Sequence, residues 1–376
     1  MLSAADDYPV HQTPDPIAFA GSDRNFYDRY WFHGYSPDGS VYFGLAFGVY
    51  PNVGVADAHF AVMRDGREYA VHASRTLDGD RMRLDVGPVR VIVDEPLQRL
   101  RLVVEDETGI SADIVFEARS RPVQEPRFTH RHGTRLIYDY TRLTQNGNYS
   151  GWIAIDGERI DLGGARGTRD RSWGIRPLGA PDPQPLVPAK ERQVFWRWVP
   201  LNFEDFSLLF HVNADGEGRV WNSHAVLIPD DPALPLASGK GRIDTPMRAG
   251  TRWAERAELR IDLADRGEAV IELAPLNRGF QMRGAGYFAP GWMHGTYKGE
   301  RVVEREDLVL ADLDPLDPAN VHVQVPVRAT WTGSDGARHT GMGSFEQLII
   351  GPYQPFGMAT GHCGYPQSQN DPTIDI

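Results

Sequence analysis

Hydrophobic and polar positions alternate with a period of two along most of this chain. The stretch "VYFGLAFGVY", residues 41–50, places Tyr42, Gly44, Ala46, Gly48 and Tyr50 on one face and larger apolar residues on the other. A period of two is the signature of a β-strand. The glycine-bearing face is short of side-chain volume, as happens where another group approaches closely or where bulky neighbours cover the strand.

Turn signals punctuate these runs from one end of the chain to the other. Residues 81–118 read as a meander of four short strands, each ended by Gly, Pro or acidic turn residues. The dipeptides that favour two-residue hairpins predict antiparallel sheet throughout, with no competing helical period. They are Asp38-Gly39, Asp65-Gly66, Asp78-Gly79, Asn146-Gly147, Asp156-Gly157, Asp215-Gly216 and Asp335-Gly336.

One proline-rich break divides the β-rich sequence. Residues 177–190 hold prolines that exclude both regular helix and central strand. We therefore predict an extended N-terminal arm at residues 1–20, a β-domain at residues 21–180 and a second β-domain at residues 181–376. The predicted fold class is all-β, and β-units of this size are usually sandwiches or barrels.

Composition narrows the environment and the partners. The 376 residues are 41% hydrophobic and 24% charged, which is typical of a globular chain with a substantial core. A formal charge of -12 repels polyanions, so nucleic acid is not expected as a partner. A single cysteine, Cys363, and no secretory leader pattern predict a reducing, cytoplasmic location. No stretch reaches about 20 apolar residues, although peripheral contact with a membrane would leave no such mark.

The densest chemistry lies in "RGTRDRSWGIRP", residues 166–177. On a strand, Asp170 and Ser172 would share one face, with Arg169, Arg171 and Trp173 on the other. Two interpretations stay open. The cluster is either a structural clamp of ion pairs with Trp173 as its apolar plug, or a frame that holds Asp170 as a catalytic proton donor or acceptor.

Aromatic and titratable residues elsewhere supply candidate ligand contacts. Trp196 and Trp198 share one face of a strand, and aromatic walls suit a large apolar ligand or a carbocation as well as they suit a β core. His224 lies beside a predicted strand, where a structural histidine is the commoner case. Glu346 lies inside an apolar strand, so it must face solvent, pair with an arginine or face a cavity.

Familiar cofactor and metal signatures are missing from the sequence. His130 and His132 are two apart, but no glutamate follows at the distance that a cupin-like metal site requires. There is no phosphate-binding loop, dinucleotide fingerprint, nucleophile elbow or paired-cysteine zinc spacing. We therefore expect no cofactor and no metal. A glycosidase-like pair of carboxylates from distant parts of the chain is compatible with the sequence.

Three short motifs carry a family resemblance. The segment from Arg169 to Gly174, the stretch "FWRWVPL" and the stretch "GMGSFEQLIIGP" resemble the AttH-like superfamily, which contains the carotenoid 1,2-hydratases, or hydroxyneurosporene synthases. The resemblance implies two lipocalin-like antiparallel β-barrels or half-barrels packed together, with an apolar ligand cavity. It also implies that Asp170 is the proton donor to a double bond. Arg171 stands where the hydratases have a histidine, which sets hydration itself in question.

Together these observations predict an enzyme, without a cofactor, for a large apolar, terpenoid or polyketide-like substrate. It would act by acid-assisted double-bond hydration, isomerisation or cyclisation. Asp170 would handle protons, Arg169 and Arg171 would orient it, and the ligand would contact Trp173, Trp196, Trp198, Tyr42, His224 and Glu346. Two alternatives remain: a non-catalytic carrier of a lipophilic ligand, and a carbohydrate-active β-sandwich. The oligomeric state stays open.

Overall fold

The structure is a computed structural model that describes residues 2–10, 22–179, 192–264 and 267–359. Half of the predicted N-terminal arm, residues 11–20, and most of the proline-rich break lie outside the described residues. Within the described part of the arm, Ala4–Asp7 form one turn of 3-10 helix in place of extended chain.

The strands account for nearly all of the regular structure. In the first half they are β1 (Phe26–Tyr35), β2 (Val41–Tyr50), β3 (Val55–Arg64), β4 (Arg67–Thr76), β5 (Asp85–Val86), β6 (Val89–Glu95), β7 (Arg99–Val104), β8 (Ile110–Ala118), β9 (Val123–Gln124), β10 (Phe128–His132), β11 (Arg135–Ile155), β12 (Glu158–Asp161) and β13 (Ala165–Ile175). In the second half they are β14 (Val194–Asn202), β15 (Phe206–Ala214), β16 (Val220–Pro229), β17 (Ala237–Asp244), β18 (Ala257–Leu263), β19 (Gly267–Pro275), β20 (Phe280–Gln281), β21 (Arg301–Val309), β22 (Val323–Thr332) and β23 (Arg338–Ile350). Short 3-10 turns also occur at Pro51–Val53, Met282–Ala285 and Gln354–Phe356.

These strands form two antiparallel barrels, closed or nearly closed, which confirms the predicted all-β, lipocalin-like fold class. The first barrel runs in the order β21-β4-β3-β2-β1-β13-β11-β8-β7-β6-β5, and β5 and β6 come back against β3 and β4. The second runs from β14 through β19 on one side and through β23 and β22 on the other, and β19 pairs with β22 to close the ring. Closure leaves few strand edges open to other chains.

The chain crosses between the two units more than once. The first unit contains Met1–Pro181 and Arg283–Val309, and the second contains Asp182–Met282 and Leu310–Ile376. The first of these crossings falls within the proline-rich break. The predicted ranges place residues 283–309 in the second domain. In the structure they belong to the first unit, because β21 pairs with β4 along its whole length and so extends the first sheet.

Most local predictions agree with the structure, and two of the predicted hairpin turns are wrong. Asp78-Gly79 lies in the connection from β4 to β5, and these two strands do not pair with each other. Residues 41–50 form β2, residues 81–118 contain β5 to β8, and Asp65-Gly66 is a two-residue turn with positive φ at both positions. Asn146-Gly147 is no turn, because it lies inside the 21-residue strand β11. A side chain on Gly147 would lie 2.3 Å from the Phe116 ring, so the glycine serves close packing.

One face of the first sheet builds an apolar core that also holds two guanidinium groups. The Arg171 guanidinium lies 3.9 Å from the centre of the buried Tyr30 ring, and that of Arg169 lies 5.4 Å from the Phe116 ring. Burying a cation in such a place is costly unless it is paired and hydrogen-bonded. Both arginines are paired, Arg169 with Asp7 and Arg171 with Asp28.

The pair of Asp7 and Arg169 ties the N-terminal turn to the core. Both side chains are fully buried, and Arg169 also donates to the Gln145 side chain at 2.7 and 3.0 Å. The Asp7 carboxylate accepts a further bond from the backbone N–H of Leu97. The turn Ala4–Asp7 is thus held by a carboxylate inside the barrel.

We expect Asp7→Asn to lower the free energy of unfolding by roughly 3–5 kcal/mol, because it leaves the Arg169 cation buried without its counter-charge. Urea unfolding at neutral pH measures this change. The control Asp65→Asn alters an exposed aspartate of the same barrel, 79% exposed, and should change stability by less than about 0.5 kcal/mol. A loss below about 1 kcal/mol for Asp7→Asn would show that the pair contributes little.

Candidate functional site

The opposite face of the first sheet is polar and aromatic. Strand register aligns side chains of β11, β13, β1, β2, β3 and β4 in one row across this face. The row contains Thr144, Asp170, Trp31, Ala46, His59 and His72. Neighbouring rows add further ionisable groups, so the face differs in kind from the apolar core on the other side of the same strands.

Many of these ionisable groups are buried. Those on the face that are buried include Arg29, His33, Asp57, His59, Glu68, His72 and Asp170. Desolvating such groups costs free energy that apolar residues would not require. Clusters of buried titratable groups are therefore characteristic of functional sites, although structural ion-pair networks also produce them.

Asp170 lies on this face in β13, between β11 and β1. Its side chain projects to the same side as Ser172, as the alternation of the sequence predicts, and the residue is 6% exposed. Burial alone would lower the pKa of the Arg142 guanidinium on this face, but the charges of Glu125 first and of Asp170 second hold that pKa above its ordinary value. Arg142 donates to the Glu125 carboxylate at 2.9 Å, so its charge is balanced on the same face.

Arg169 and Arg171 do not share a face with Asp170. They project to the apolar core, where their carboxylate partners are Asp7 and Asp28. Trp173 follows the same alternation and is half-buried. The structure therefore places these two arginines on the opposite face of β13 from Asp170, in ion pairs within the first unit.

Tyr42, by contrast, lies on the face of Asp170. Its ring is fully buried and stacks on His33 with ring centres 5.6 Å apart. Its hydroxyl forms a hydrogen bond with the Nδ1 atom of that imidazole. The Tyr50 ring lies over Gly48 of this face in β2.

A cluster of a carboxylate and two imidazoles lies three strands away from Asp170 on the same face. Asp57 and His59 project from β3, and His294 comes from the segment 283–298 of the same unit. The Asp57 Oδ1 atom is 3.8 Å from His59 Nε2 and 3.8 Å from His294 Nδ1. Asp57 also accepts hydrogen bonds from the Tyr50 hydroxyl at 3.1 Å and from the backbone N–H of Gly295 at 2.7 Å.

A second layer of side chains supports this cluster. The Nδ1 atoms of His59 and His72 are 2.8 Å apart, and His72 Nε2 lies 3.6 Å from Glu306, which Arg283 holds in an ion pair. The Trp292 ring stacks on His72 with centres 5.5 Å apart. Burial lowers the pKa of His72, so its imidazole is neutral near neutral pH.

Protonation states in the cluster follow from burial and from these contacts. Burial, helped by the Arg29 guanidinium, lowers the pKa of His294 well below its ordinary value. Burial alone would raise the pKa of Asp57, but the facing imidazoles of His294 and His59 outweigh burial and hold that pKa below its ordinary value. The cluster therefore holds an ionised carboxylate facing a neutral His294 ring.

The sequence analysis did not predict this cluster, although the sequence contains part of the pattern that indicates it. Asp57 and His59 are two apart, as on one face of a strand. The turn at Asp65-Gly66 sets the register that places His72 opposite His59. The third member, His294, lies more than 200 residues later, and no local pattern predicts that its segment returns to the first barrel.

The second barrel brings together four of the predicted contact residues. Register aligns side chains from five strands in one row, namely Gln324, Glu346, Trp198, His211 and His224. Trp196 lies in the next row, on the same face. Trp196, Trp198 and Glu346 are buried, and His224 is half-buried.

Glu346 is held by three donors. Its carboxylate accepts from Trp196 Nε1 at 2.8 Å, from His322 Nε2 at 2.8 Å and from Gln324 Nε2 at 2.6 Å. Burial alone would raise its pKa, but His322 above all, then Gln324 and Trp196, lower the pKa to about 2. Glu346 is therefore ionised at neutral pH and cannot serve as a proton donor there.

Two further points from the sequence concern a pair of histidines and a membrane span. His130 and His132 lie in the β10 hairpin, where the His130 ring faces that of Tyr138, at centres 6.2 Å apart. Among the residues that the structure describes, no helix is long and apolar enough to cross a bilayer.

Comparisons with known proteins support the fold and leave the chemistry open. A family of unknown function, DUF8625, matches residues 2–359. No curated protein matches the sequence. The solved structure of CghA is similar with a TM-score of 0.51 and 12% identity, covering 91% of this chain and 95% of that one. Kievitone hydratase from Nectria haematococca gives a TM-score of 0.46 and 10% identity, covering 85% of this chain and 88% of that one. At these identities the CghA likeness shows the fold alone.

We expect acid to destabilise the second barrel through Glu346. Its folded pKa of about 2 lies below the ordinary 4.5, so its stabilisation is complete above pH 4.5 and is lost as the pH falls towards 2. The difference corresponds to roughly 3 kcal/mol, of which about 2 kcal/mol disappears by pH 3.

Urea unfolding of the wild type and of Glu346→Gln between pH 7 and pH 3 measures this contribution. The variant should lack this part of the acid sensitivity. Glu268→Gln, an exposed position of the same barrel, 58% exposed, should keep the wild-type profile. Parallel profiles for the wild type and Glu346→Gln would contradict the assignment.

Proposed function

We propose that this chain, which belongs to the family of unknown function DUF8625, is an enzyme that acts on a large apolar, terpenoid or polyketide-like molecule. The reaction is acid-assisted hydration, isomerisation or cyclisation of a carbon–carbon double bond, with Asp170 as the proton donor and no organic cofactor.

The observation that carries the proposal is the position of Asp170. The carboxyl group is buried on a polar and aromatic sheet face, directly across from Trp31 in the register of β13 and β1. A buried carboxyl group beside an indole ring can protonate an alkene and stabilise the cation that results. The double lipocalin-like fold and the resemblance of residues 169–174 to the carotenoid 1,2-hydratases support the same assignment.

The chemistry balances without an external oxidant or reductant. A proton from Asp170 adds to one carbon of the double bond, and the positive charge develops on the other carbon, where the face of Trp31 can attract it. Hydration follows when water attacks that carbon and returns a proton to the carboxylate. Isomerisation follows when the cation loses a different proton to the carboxylate. Cyclisation follows when a second double bond attacks the cation and the new cation then loses a proton to the carboxylate.

The roles of the other predicted residues are adjusted to this geometry. Arg169 and Arg171 hold the strand from its core side and position Asp170 through the backbone of β13. Tyr42 belongs to the same face as the acid. Glu346 is a hydrogen-bond acceptor that fixes Trp196 and His322, and its low pKa excludes it from donating the proton.

A carrier of lipophilic ligands is the second candidate, favoured by the indoles of Trp196 and Trp198 on one face of the second barrel. A carrier needs no acid. The two functions therefore differ in whether a bound apolar molecule is returned unchanged.

We expect Asp170→Asn to reduce turnover by 10²–10⁴-fold, the usual loss when a general acid is removed. The assay incubates the protein with polyenes, terpenoids and polyketide-like alkenes in deuterated water and detects incorporation of deuterium at carbon by mass spectrometry. Asp161→Asn, an exposed aspartate of the same sheet, should retain full turnover. A fall below about threefold for a folded Asp170→Asn would refute the acid role, and tight binding without any product would favour the carrier.

A further inference from the structure

We propose that Asp57, His59 and His294 form a binding site for one divalent transition-metal ion of the zinc class. The inference goes beyond the proposed function, because the chemistry of Asp170 neither uses nor needs this ion. It rests on the geometry of three buried side chains that come from two distant parts of the chain.

The three side chains converge on one point. One oxygen of Asp57 and one nitrogen from each imidazole lie within 4.8 Å of one another, and all three residues are buried. Bonds of about 2.0–2.1 Å in a tetrahedral zinc site place ligand atoms roughly 3.3–3.5 Å apart. The atoms therefore need to close by less than about 1.5 Å to reach bonding positions.

The ring nitrogens that face this point have no hydrogen-bond partner in the described part of the chain. They are His59 Nε2 and His294 Nδ1. A buried polar atom left without a partner costs roughly 1–3 kcal/mol, and native structures seldom tolerate several together. A bound cation would satisfy both lone pairs at once and would lie against the Asp57 carboxylate.

The donor types and the nearby charges suit a cation. Imidazole nitrogens and a carboxylate oxygen are the N and O ligands that zinc-class ions accept. Arg29 brings a positive charge to the same face, but its guanidinium is engaged with the hydroxyl and ring of Tyr287.

The surroundings resemble the outer shell of a metal site. A histidine that binds metal through one ring nitrogen usually has the other held by a second group. His59 Nδ1 lies 2.8 Å from His72 Nδ1, and His72 Nε2 lies 3.6 Å from the Glu306 carboxylate. Asp57 is oriented by Gly295 and Tyr50.

The backbone of the returning segment is shaped to bring His294 close. At Gly286, φ is +82°, and a Cβ atom there would lie 2.6 Å from His59 Nε2 and 2.9 Å from the His294 ring. Only glycine permits this approach. Two imidazoles and one carboxylate leave at least one coordination position open, as in catalytic zinc sites, and they select borderline ions such as Zn²⁺ or Fe²⁺ over Ca²⁺ or Mg²⁺.

The test is metal binding by the full-length protein, free of any histidine tag. The purified chain is dialysed against a chelator, checked for its fold by near-UV circular dichroism, and titrated with Zn²⁺ by calorimetry. A parallel titration with Co²⁺ reports the ligand set by visible absorption. We expect one ion per chain, a higher melting temperature with Zn²⁺ than without it, and no comparable effect of Mg²⁺.

Three variants distinguish a proposed metal ligand from residues that do not bind the ion directly. His294→Gln should weaken Zn²⁺ binding by at least 100-fold, and His72→Gln by about 10–100-fold, as is usual for an outer-shell partner. His33→Gln alters a buried imidazole of the same sheet face outside the cluster and should leave the affinity unchanged.

A folded wild-type chain that binds no Zn²⁺ or Co²⁺ at one-to-one ratio would overturn the proposal. So would a folded His294→Gln that binds as tightly as the wild type. If His294→Gln fails to fold, the wild-type stoichiometry and the Co²⁺ spectrum decide, because they need no variant. These readouts are independent of turnover, so failure here is distinct from failure of the Asp170 assignment.

Discussion

Strands β1 to β4 are buried on both faces, and this constraint shapes the first unit. Every residue of β2 is buried, and β1 and β3 have only one terminal residue each that is not. Because side chains alternate, such strands need two separate interiors. One interior is the apolar core. The other is built from histidines, carboxylates, arginines and tyrosines, and each of these must find a hydrogen bond or a counter-charge there.

The buried carboxylates meet that requirement in different ways. Asp7 and Asp28 are neutralised by arginines and hold structure together. Glu346 is stabilised as an anion by three N–H donors. Asp57 receives two donors and still faces two imidazole nitrogens. The imidazole nitrogens beside Asp57 have no hydrogen-bond partner among the described residues, which distinguishes this site from the ion pairs of Asp7 and Asp28 and makes it the place where we propose an ion.

Much of the fold could be predicted from local pattern, because alternation and turn chemistry act over a few residues. The strand β2, the four-strand meander and the two faces of β14 all follow from the period of two. The prediction of a turn at Asn146-Gly147 is wrong because the same dipeptide occurs here for another reason: Gly147 is required for close packing against Phe116. The alternation also assigns Asp170 and Arg169 to opposite faces, but the partners of the arginines come from β1 and from the N-terminal turn. Asp57, His59 and His72 were accessible from strand register. The position of His294 in the cluster depends on the return of residues 283–309 to the first unit, which no local spacing in the sequence predicts.

The return of residues 283–309 to the first barrel also sets an order of events during synthesis. Strand β21 supplies the hydrogen-bond partner of β4, yet Arg301 follows Thr76 by more than 200 residues. At a translation rate of about 5–20 residues per second, β4 leaves the ribosome on the order of 10–50 s before its neighbour exists. During that interval the edge of β4 is open, and an open edge is a template for pairing with other chains. The first barrel is thus completed only after most strands of the second barrel have been synthesised, and no contiguous fragment of the gene encodes the first barrel alone.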